Sequence, residues 1–298
     1  MEYHNPVLLA ASVDGLNIQP SGVYVDVTFG GGGHSREILS RLGENGKLFA
    51  FDQDEDALAN AIADDRFTLI NENFRFLKRF LRFHGIRQVD GILADLGVSS
   101  HQFDVPERGF STRFEGDLDM RMSQKNELSA YKVVNEYDEA NLRRVFFDYG
   151  ELKNAPVIAR TILEARTQVP IKNTEQLKAV LARLLPPHKA NKILAQIYQA
   201  IRIEVNQEME VLKEFLEQSL EILKPGGRLS IISYHSLEDR LVKRFIRNGM
   251  FEGEPERDFF GNFSVPFKQI EKLIVPDEAE IATNNRARSA KLRIAEKI

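Results

Sequence analysis

The sequence predicts an α/β fold: an open, Rossmann-like parallel sheet whose strand-and-helix alternation is interrupted by an inserted all-helical stretch. Three observations carry that prediction. The first hundred residues alternate short apolar runs with helix-like segments, a run of glycines follows the first apolar run, and the strand pattern that stops after Asp95 resumes at Arg228.

Val23-Tyr24-Val25-Asp26-Val27-Thr28 reads as the first strand, and Gly30-Gly31-Gly32-Gly33 leads from it into a helix over Ser35–Leu42 that Gly43 stops. Lys47–Phe51 reads as a second strand ending at Asp52. Phe67–Ile70 and Val89–Asp95 supply a third and a fourth. From about Asp138 the pattern turns helical. Asn154 before Pro156 marks one helix start, because proline fits the first helical turn, and Thr174 with Glu175 before Leu177, Val180, Leu181 and Leu184 marks another. A long amphipathic segment from about Asn206 ends at Lys224-Pro225-Gly226-Gly227, and Arg228–Ser233 resumes the strand pattern. Gly261 to Pro276 carries no clear periodicity.

The chain of 298 residues is 43% hydrophobic and 28% charged, an ordinary composition for a folded chain large enough for one sizeable core and a second lobe. No run approaches the roughly 18 apolar residues of a membrane span. Met1-Glu2-Tyr3-His4-Asn5-Pro6 lacks the basic-then-apolar order of a signal peptide, so a cytoplasmic location without a membrane partner is expected. The absence of cysteine excludes disulfides, thiolate metal sites and thiol nucleophiles. His4, His34 and His188 have no partners at metal-ligand spacing, and a metal-free site is expected. The net charge is −4, yet residues 141 to 203 hold eleven Lys or Arg against four Asp or Glu, a local +7 suited to nucleic acid.

A glycine turn between strand and helix lets backbone N–H groups approach a ligand. A strict dinucleotide fingerprint beginning at Gly30 would need glycine where Ser35 stands, which counts against a nicotinamide; a merely tight turn is the competing alternative. Asp52, ending the second strand about twenty positions on, is placed to accept both hydroxyls of an adenosine-like ribose, unless it is a capping or solvated aspartate. Asp95-Leu96-Gly97-Val98-Ser99-Ser100 should face the same crevice. Asn73-Phe74 could sandwich an adenine ring or simply pack in the core. Ser233-Tyr234-His235-Ser236-Leu237-Glu238-Asp239-Arg240 follows a strand end. There His235 is either catalytic or merely orients a loop in which Ser236 caps the next helix.

These residues make the chain resemble the bacterial small-subunit ribosomal RNA methyltransferase H (MraW) family. The resemblance rests on His4-Asn5-Pro6-Val7-Leu8-Leu9, the glycine turn with His34-Ser35, Asp95 to Ser100 with Gln102 and Asp104, Glu107-Arg108-Gly109-Phe110-Ser111 and Leu118-Asp119-Met120-Arg121-Met122. It continues through Tyr149-Gly150-Glu151, Gln199 to Ile203, Ser233 to Arg240 and Arg286 to Arg293. It implies an S-adenosylmethionine-dependent methyltransferase sheet built from 1–104 and 206–298, with 105–205 inserted as a helical substrate-recognition domain. It also implies N4-methylation of a cytidine in 16S ribosomal RNA of the small subunit. Cofactor contacts carry over onto Gly32, Gly33, His34, Asp52, Phe74, Asp95 and Gln102. Two departures stand out: Lys189 follows His188 where the family usually has proline, and Tyr234 replaces a frequent phenylalanine.

The sulfonium methyl is already activated, so alignment and exclusion of water should outweigh acid–base chemistry. Asp95 and the carbonyls of Leu96-Gly97 are the candidate acceptors for the amino hydrogens, with Asp95 the candidate catalytic residue. Arg143, Arg144, Lys189 and Lys192 are candidate phosphate contacts, although solvated helix faces explain single charges equally well. A second copy of the chain is a further candidate partner. Two rival functions stay open at this point: a nicotinamide-dependent dehydrogenase, and a catalytically silent RNA-binding assembly factor.

Overall fold

The computed structural model describes residues 6–257, 259–260 and 263–298; His4 and Asn5 of the opening motif lie outside them. The chain forms two compact units, Met1–Gly97 with Met209–Ile298, and Val98–Glu208.

In the first unit, α1 (Leu9–Asp14) precedes β1 (Val23–Asp26), α2 (Gly33–Arg41), β2 (Lys47–Phe51), β3 (Phe67–Ile70), α3 (Leu77–Phe83) and β4 (Val89–Asp95). The central strands are apolar on both faces, as a parallel sheet covered on both sides requires: Val25, Leu48, Ala50, Ile92 and Leu93 are fully buried. β2, β3 and β4 have the bounds that sequence patterning predicts. β1 stops two residues short of the expected Thr28, because the Thr28 N–H donates to the Asp26 carboxylate at 3.1 Å and the chain turns there. α2 starts at Gly33, two residues before the expected Ser35, and Gly32 at φ 76° makes the entry.

The second unit contains α4 (Ser100–Asp104), α5 (Ala130–Glu136), α6 (Glu139–Asp148), α7 (Ala155–Gln168), α8 (Thr174–Leu181) and α9 (Ala190–Asn206). α7 begins after Asn154 with Pro156 in its first turn, as expected. The helices enclose their own core of Val133, Phe146, Ile158, Leu177 and Ile197. The irregular chain before α5 is tied to α9 by Asn206, which accepts the Met122 N–H and donates to the Met120 carbonyl, both at 2.8 Å.

The amphipathic segment expected from about Asn206 begins there as a helix of its own. α9 ends at Asn206, Gln207 adopts φ 51°, and α10 (Glu208–Ile222) follows. β5 (Leu223–Ser233) starts five residues before the expected Arg228. Its pairing with β4 shifts register between Val89↔Leu223 and Gly91↔Arg228, so the Pro-Gly-Gly segment bulges without ending the strand. α11 (Ser236–Asn248), β6 (Phe267–Gln269), α12 (Glu278–Thr283) and β7 (Lys291–Lys297) complete the unit. The seven strands run β3-β2-β1-β4-β5-β7-β6, with β7 antiparallel to both its neighbours. Among the described residues no helix is long and apolar enough to cross a membrane.

Candidate active site

The carboxyl ends of β1, β2 and β4 each carry an aspartate, and the order of the strands puts β1 between the other two. Ligands of open α/β sheets lie beyond such ends, where the strand order reverses.

Asp26, at the end of β1, is fully buried; its carboxylate accepts the Ser35 hydroxyl at 2.7 Å and the Thr28 N–H at 3.1 Å. Burial pushes its carboxyl up, against the opposing pull of the His34 charge and these hydrogen bonds. The turn that follows has Gly30 at φ 52° and Gly32 at φ 76°. A side chain at Gly32 would strike the Phe29 ring at 2.9 Å, whereas one at Gly31 would meet nothing within 4 Å. The turn is therefore packed on one side and open on the other. Gly33 begins α2, and a Cβ there would come within 2.1 Å of the Pro6 ring. His34 is buried at 5% exposure, with Nε2 at 3.1 Å from the Val7 carbonyl. A carbonyl only accepts, so Nε2 carries a proton and Nδ1 is left facing Asp95 Oδ2 at 3.9 Å.

Asp52 ends β2 and reaches back to the glycine turn: Oδ2 accepts the Gly30 N–H at 2.8 Å and Oδ1 accepts the Asp54 N–H at 2.9 Å. Burial pushes its carboxyl up to about 6, despite these two donors. Each oxygen keeps a lone pair for a ligand. Asn71 Nδ2 donates to the Asp52 carbonyl at 3.0 Å and Asn73 Nδ2 to Gln53 Oε1 at 2.8 Å, which joins the β2 and β3 loops. Phe74 sits half-buried after them, its ring edge-on to Phe215 with centroids 5.3 Å apart.

Asp95 ends β4. Its N–H donates to the Thr28 hydroxyl, and its Oδ1 accepts the Tyr234 hydroxyl, both at 2.7 Å. Burial pushes the carboxyl up to about 6. The His34 charge and the Tyr234 hydrogen bond pull it down, and Asp26 and Glu238 add to the rise. Gly97 follows at φ 103°, a conformation that suits only glycine.

The structure thus brings Gly32, Gly33, His34, Asp52, Phe74 and Asp95 onto one unit. Gln102 belongs to the other, where it closes a capping box on α4 with Ser99. His235 is not the loop-orienting neighbour of a serine cap; it is itself the N-cap of α11. Glu238 answers it by accepting the Tyr234 N–H at 2.9 Å and the His235 N–H at 3.3 Å. The imidazole can take this role because a bare Nδ1 accepts a backbone N–H as an asparagine oxygen does, at 3.4 Å from the Glu238 nitrogen. Sequence reasoning missed Asp26 and the Tyr234 hydroxyl. A lone carboxylate in a buried strand directly before a glycine turn was a readable signal for the first; a contact spanning 139 residues left none for the second.

In the helical unit Arg143, Lys189 and Lys192 are exposed and form no ion pair among the described residues. Arg144 does: its guanidinium holds Glu204 at 2.6 Å. Arg160, Lys178 and Arg202 are likewise paired with Glu139, Glu175 and Glu208, and Arg166 donates to the Val134 and Tyr137 carbonyls. The local charge excess therefore overstates the cations open to a ligand.

A seven-stranded sheet with a reversed β7, a glycine turn after β1 and carboxylates ending β1, β2 and β4 defines a Rossmann-like methyltransferase of the S-adenosylmethionine-dependent class. The particular lineage follows from comparison with known proteins. The chain belongs to the MraW methylase family, whose family model matches residues 1–298. It is similar to proteins named ribosomal RNA small subunit methyltransferase H. That of Flavobacterium johnsoniae is 82% identical over 298 residues, covering 100% of this chain and 99% of that protein. That of Christiangramia forsetii is 70% identical, with 100% and 99% covered, and that of Bacteroides thetaiotaomicron 58%, with 100% and 98% covered.

Proposed function

We propose that this protein transfers a methyl group from S-adenosylmethionine to the exocyclic N4 of a cytidine in 16S ribosomal RNA, acting in the cytoplasm on the small ribosomal subunit. The observation that carries the reading is the half-buried Asp95 at the end of β4, one oxygen bonded to Tyr234 and the other turned toward His34, in a chain that matches the MraW methylase family throughout.

The residues fit the cofactor. The open side of the glycine turn leaves room over Gly30 and Gly31, with Gly32, Gly33 and His34 beside it. Asp52 retains lone pairs for two ribose hydroxyls, Phe74 offers a ring for adenine, and Asp95 completes the set on this unit. When bound, S-adenosylmethionine supplies a methyl group already activated by the sulfonium. The work left to the chain is to hold the amino nitrogen in line and to take up its hydrogen bonds. Asp95 Oδ2 accepts one amino hydrogen, which helps the nitrogen become pyramidal, and receives the proton released when N4 is methylated. Methylation at pyrimidine C5 ordinarily needs a cysteine adduct, and this chain has no cysteine. Arg143, Lys189 and Lys192 contact RNA phosphates, and Arg144 serves chiefly to hold Glu204.

A deletion strain tests this. Its ribosomal RNA should lack N4-methylcytidine, and purified protein added to its small subunits should restore that nucleoside by mass spectrometry. Retention of all N4-methylcytidine in the deletion, or a ribose-methylated product on add-back, would overturn the assignment. Homodimer formation, the other partnership expected, is decided by sedimentation of the purified protein.

A further inference from the structure

Asp95 is oriented from a neighbouring strand. β4 and β5 run parallel with Asp95 opposite Ile232, and Tyr234 lies two residues further on, just past the end of β5. The Tyr234 ring is held at both ends. Its side packs against the Gly97 turn, where an added Cβ would come within 3.3 Å of the ring, and against the cluster of Val7, Leu8 and Leu292; its hydroxyl lies 2.7 Å from Asp95 Oδ1.

We propose that Tyr234 is a positioning residue for methyl transfer: its hydroxyl occupies Oδ1 of Asp95 and so presents Oδ2 alone to the acceptor amino group. The inference rests on the reading of Asp95 as the amino acceptor. The direction of the hydrogen bond is settled by chemistry. Burial, with Asp95 and Glu238 nearby, pushes the phenol far above its ordinary range, so the hydroxyl keeps its proton and donates while the carboxylate accepts. The titratable groups facing Asp95 are His34 from α2, Asp26 from β1 and Glu238 from α11. His34 and the Tyr234 hydroxyl favour the ionised carboxylate; the two acids oppose it. Deleting the hydroxyl removes one of the two favourable partners and frees the carboxylate to rotate.

Tyr234→Phe keeps the ring and removes only the hydroxyl. Two measurements read the result: titration of the Asp95 carboxyl by carbon-13 resonance, and the pH profile of single-turnover methyl transfer to small subunits at saturating cofactor. The expected outcome is a rise of about one pH unit in the carboxyl midpoint and an equal rise in the acid limb of the rate. The plateau rate should fall several-fold with KM for subunits unchanged. In an Asp95→Asn background the same substitution should cost nothing further, since its effect runs through the carboxylate. An unmoved midpoint and limb, or an equal further loss in the Asp95→Asn background, would reduce Tyr234 to packing and overturn the inference. If wild-type protein methylates no subunit, the functional reading fails, and the carboxyl titration still decides the hydrogen bond.

Discussion

Replacing Asp52 with asparagine should weaken cofactor binding while leaving the cofactor-free fold as stable as before, or more so. The carboxyl stands at about 6 in the folded chain against an ordinary 3.8, so the folded chain binds more protons than the unfolded one between roughly pH 4 and 6. Stability contributed by this group therefore falls as pH rises through that window. Keeping it ionised at pH 7 costs on the order of 3 kcal/mol before discounting for its partial exposure. Asparagine removes that cost but offers one acceptor oxygen to the two N–H groups of Gly30 and Asp54, a loss of about 1 kcal/mol. The net gain without cofactor is on the order of 1 kcal/mol, or roughly 2–4 °C in Tm. Loss of charge-assisted bonds to the ribose, about 1.5–3 kcal/mol, should weaken the cofactor by roughly 10- to 100-fold. Scanning calorimetry without cofactor and titration calorimetry at pH 8 measure both. The wild-type affinity should also fall as pH drops below about 6. An Asp52→Asn protein that melts earlier and binds cofactor as the wild type does would refute the reasoning.

Gly31→Ala, whose Cβ meets no protein atom, should cut cofactor affinity at least about tenfold with Tm unchanged, whereas Gly32→Ala, at φ 76° and against Phe29, should lower stability by about 1–3 kcal/mol in thermal unfolding. Reversing Arg143, Lys189 and Lys192 together should weaken binding to ribosomal RNA and flatten its salt dependence by about two to three in log–log slope, with cofactor affinity intact by calorimetry. Arg144→Glu should differ from them by destabilising the helical unit, since it leaves Glu204 facing a like charge, as thermal unfolding would record. Asp239→Asn should lower stability by about 2–4 kcal/mol at pH 7, because its carboxylate holds Lys291 at 3.1 Å and Arg293 at 2.8 Å on β7. Burial alone would raise the Asp239 carboxyl, but these cations hold it below its ordinary value, so its contribution is present at neutral pH and lost as pH falls through that lowered value.

Local patterning made β2, β3, β4 and the start of α7 readable, because each is an apolar run or a proline-marked turn whose signal lies within a few residues. The segment from Gly261 to Pro276 resisted because β6 is only three residues long and is a strand solely through its pairing with β7. Asp52 was found by its distance from the glycines. Its hydrogen bond to the turn it serves was not, since strand order decides which loops meet. The charge count over residues 141 to 203 pointed to the helical unit but could not show that Arg144, Arg160, Lys178 and Arg202 are paired within it. In the sequence Ser236 competes with His235 for the cap because hydroxyls are favoured there, and only the folded loop shows the imidazole closing the capping box with Glu238.

The strands β4 and β5 lie side by side, yet everything from Leu96 to Ile222 is synthesised between them. At about 5–20 residues per second a ribosome needs roughly 6–25 s to cover that interval, far longer than local helices take to form. For that time the nascent sheet has an apolar edge with unmet N–H and C=O groups along β4, the kind of surface that recruits other chains. The helical insert, with a core of its own, can pack before the sheet that brackets it is complete. The antiparallel β7 pairs along β5 from Arg228 to Ser233 and carries β6 on its other side, so its loss would turn β5 into an open edge and leave β6 unpaired.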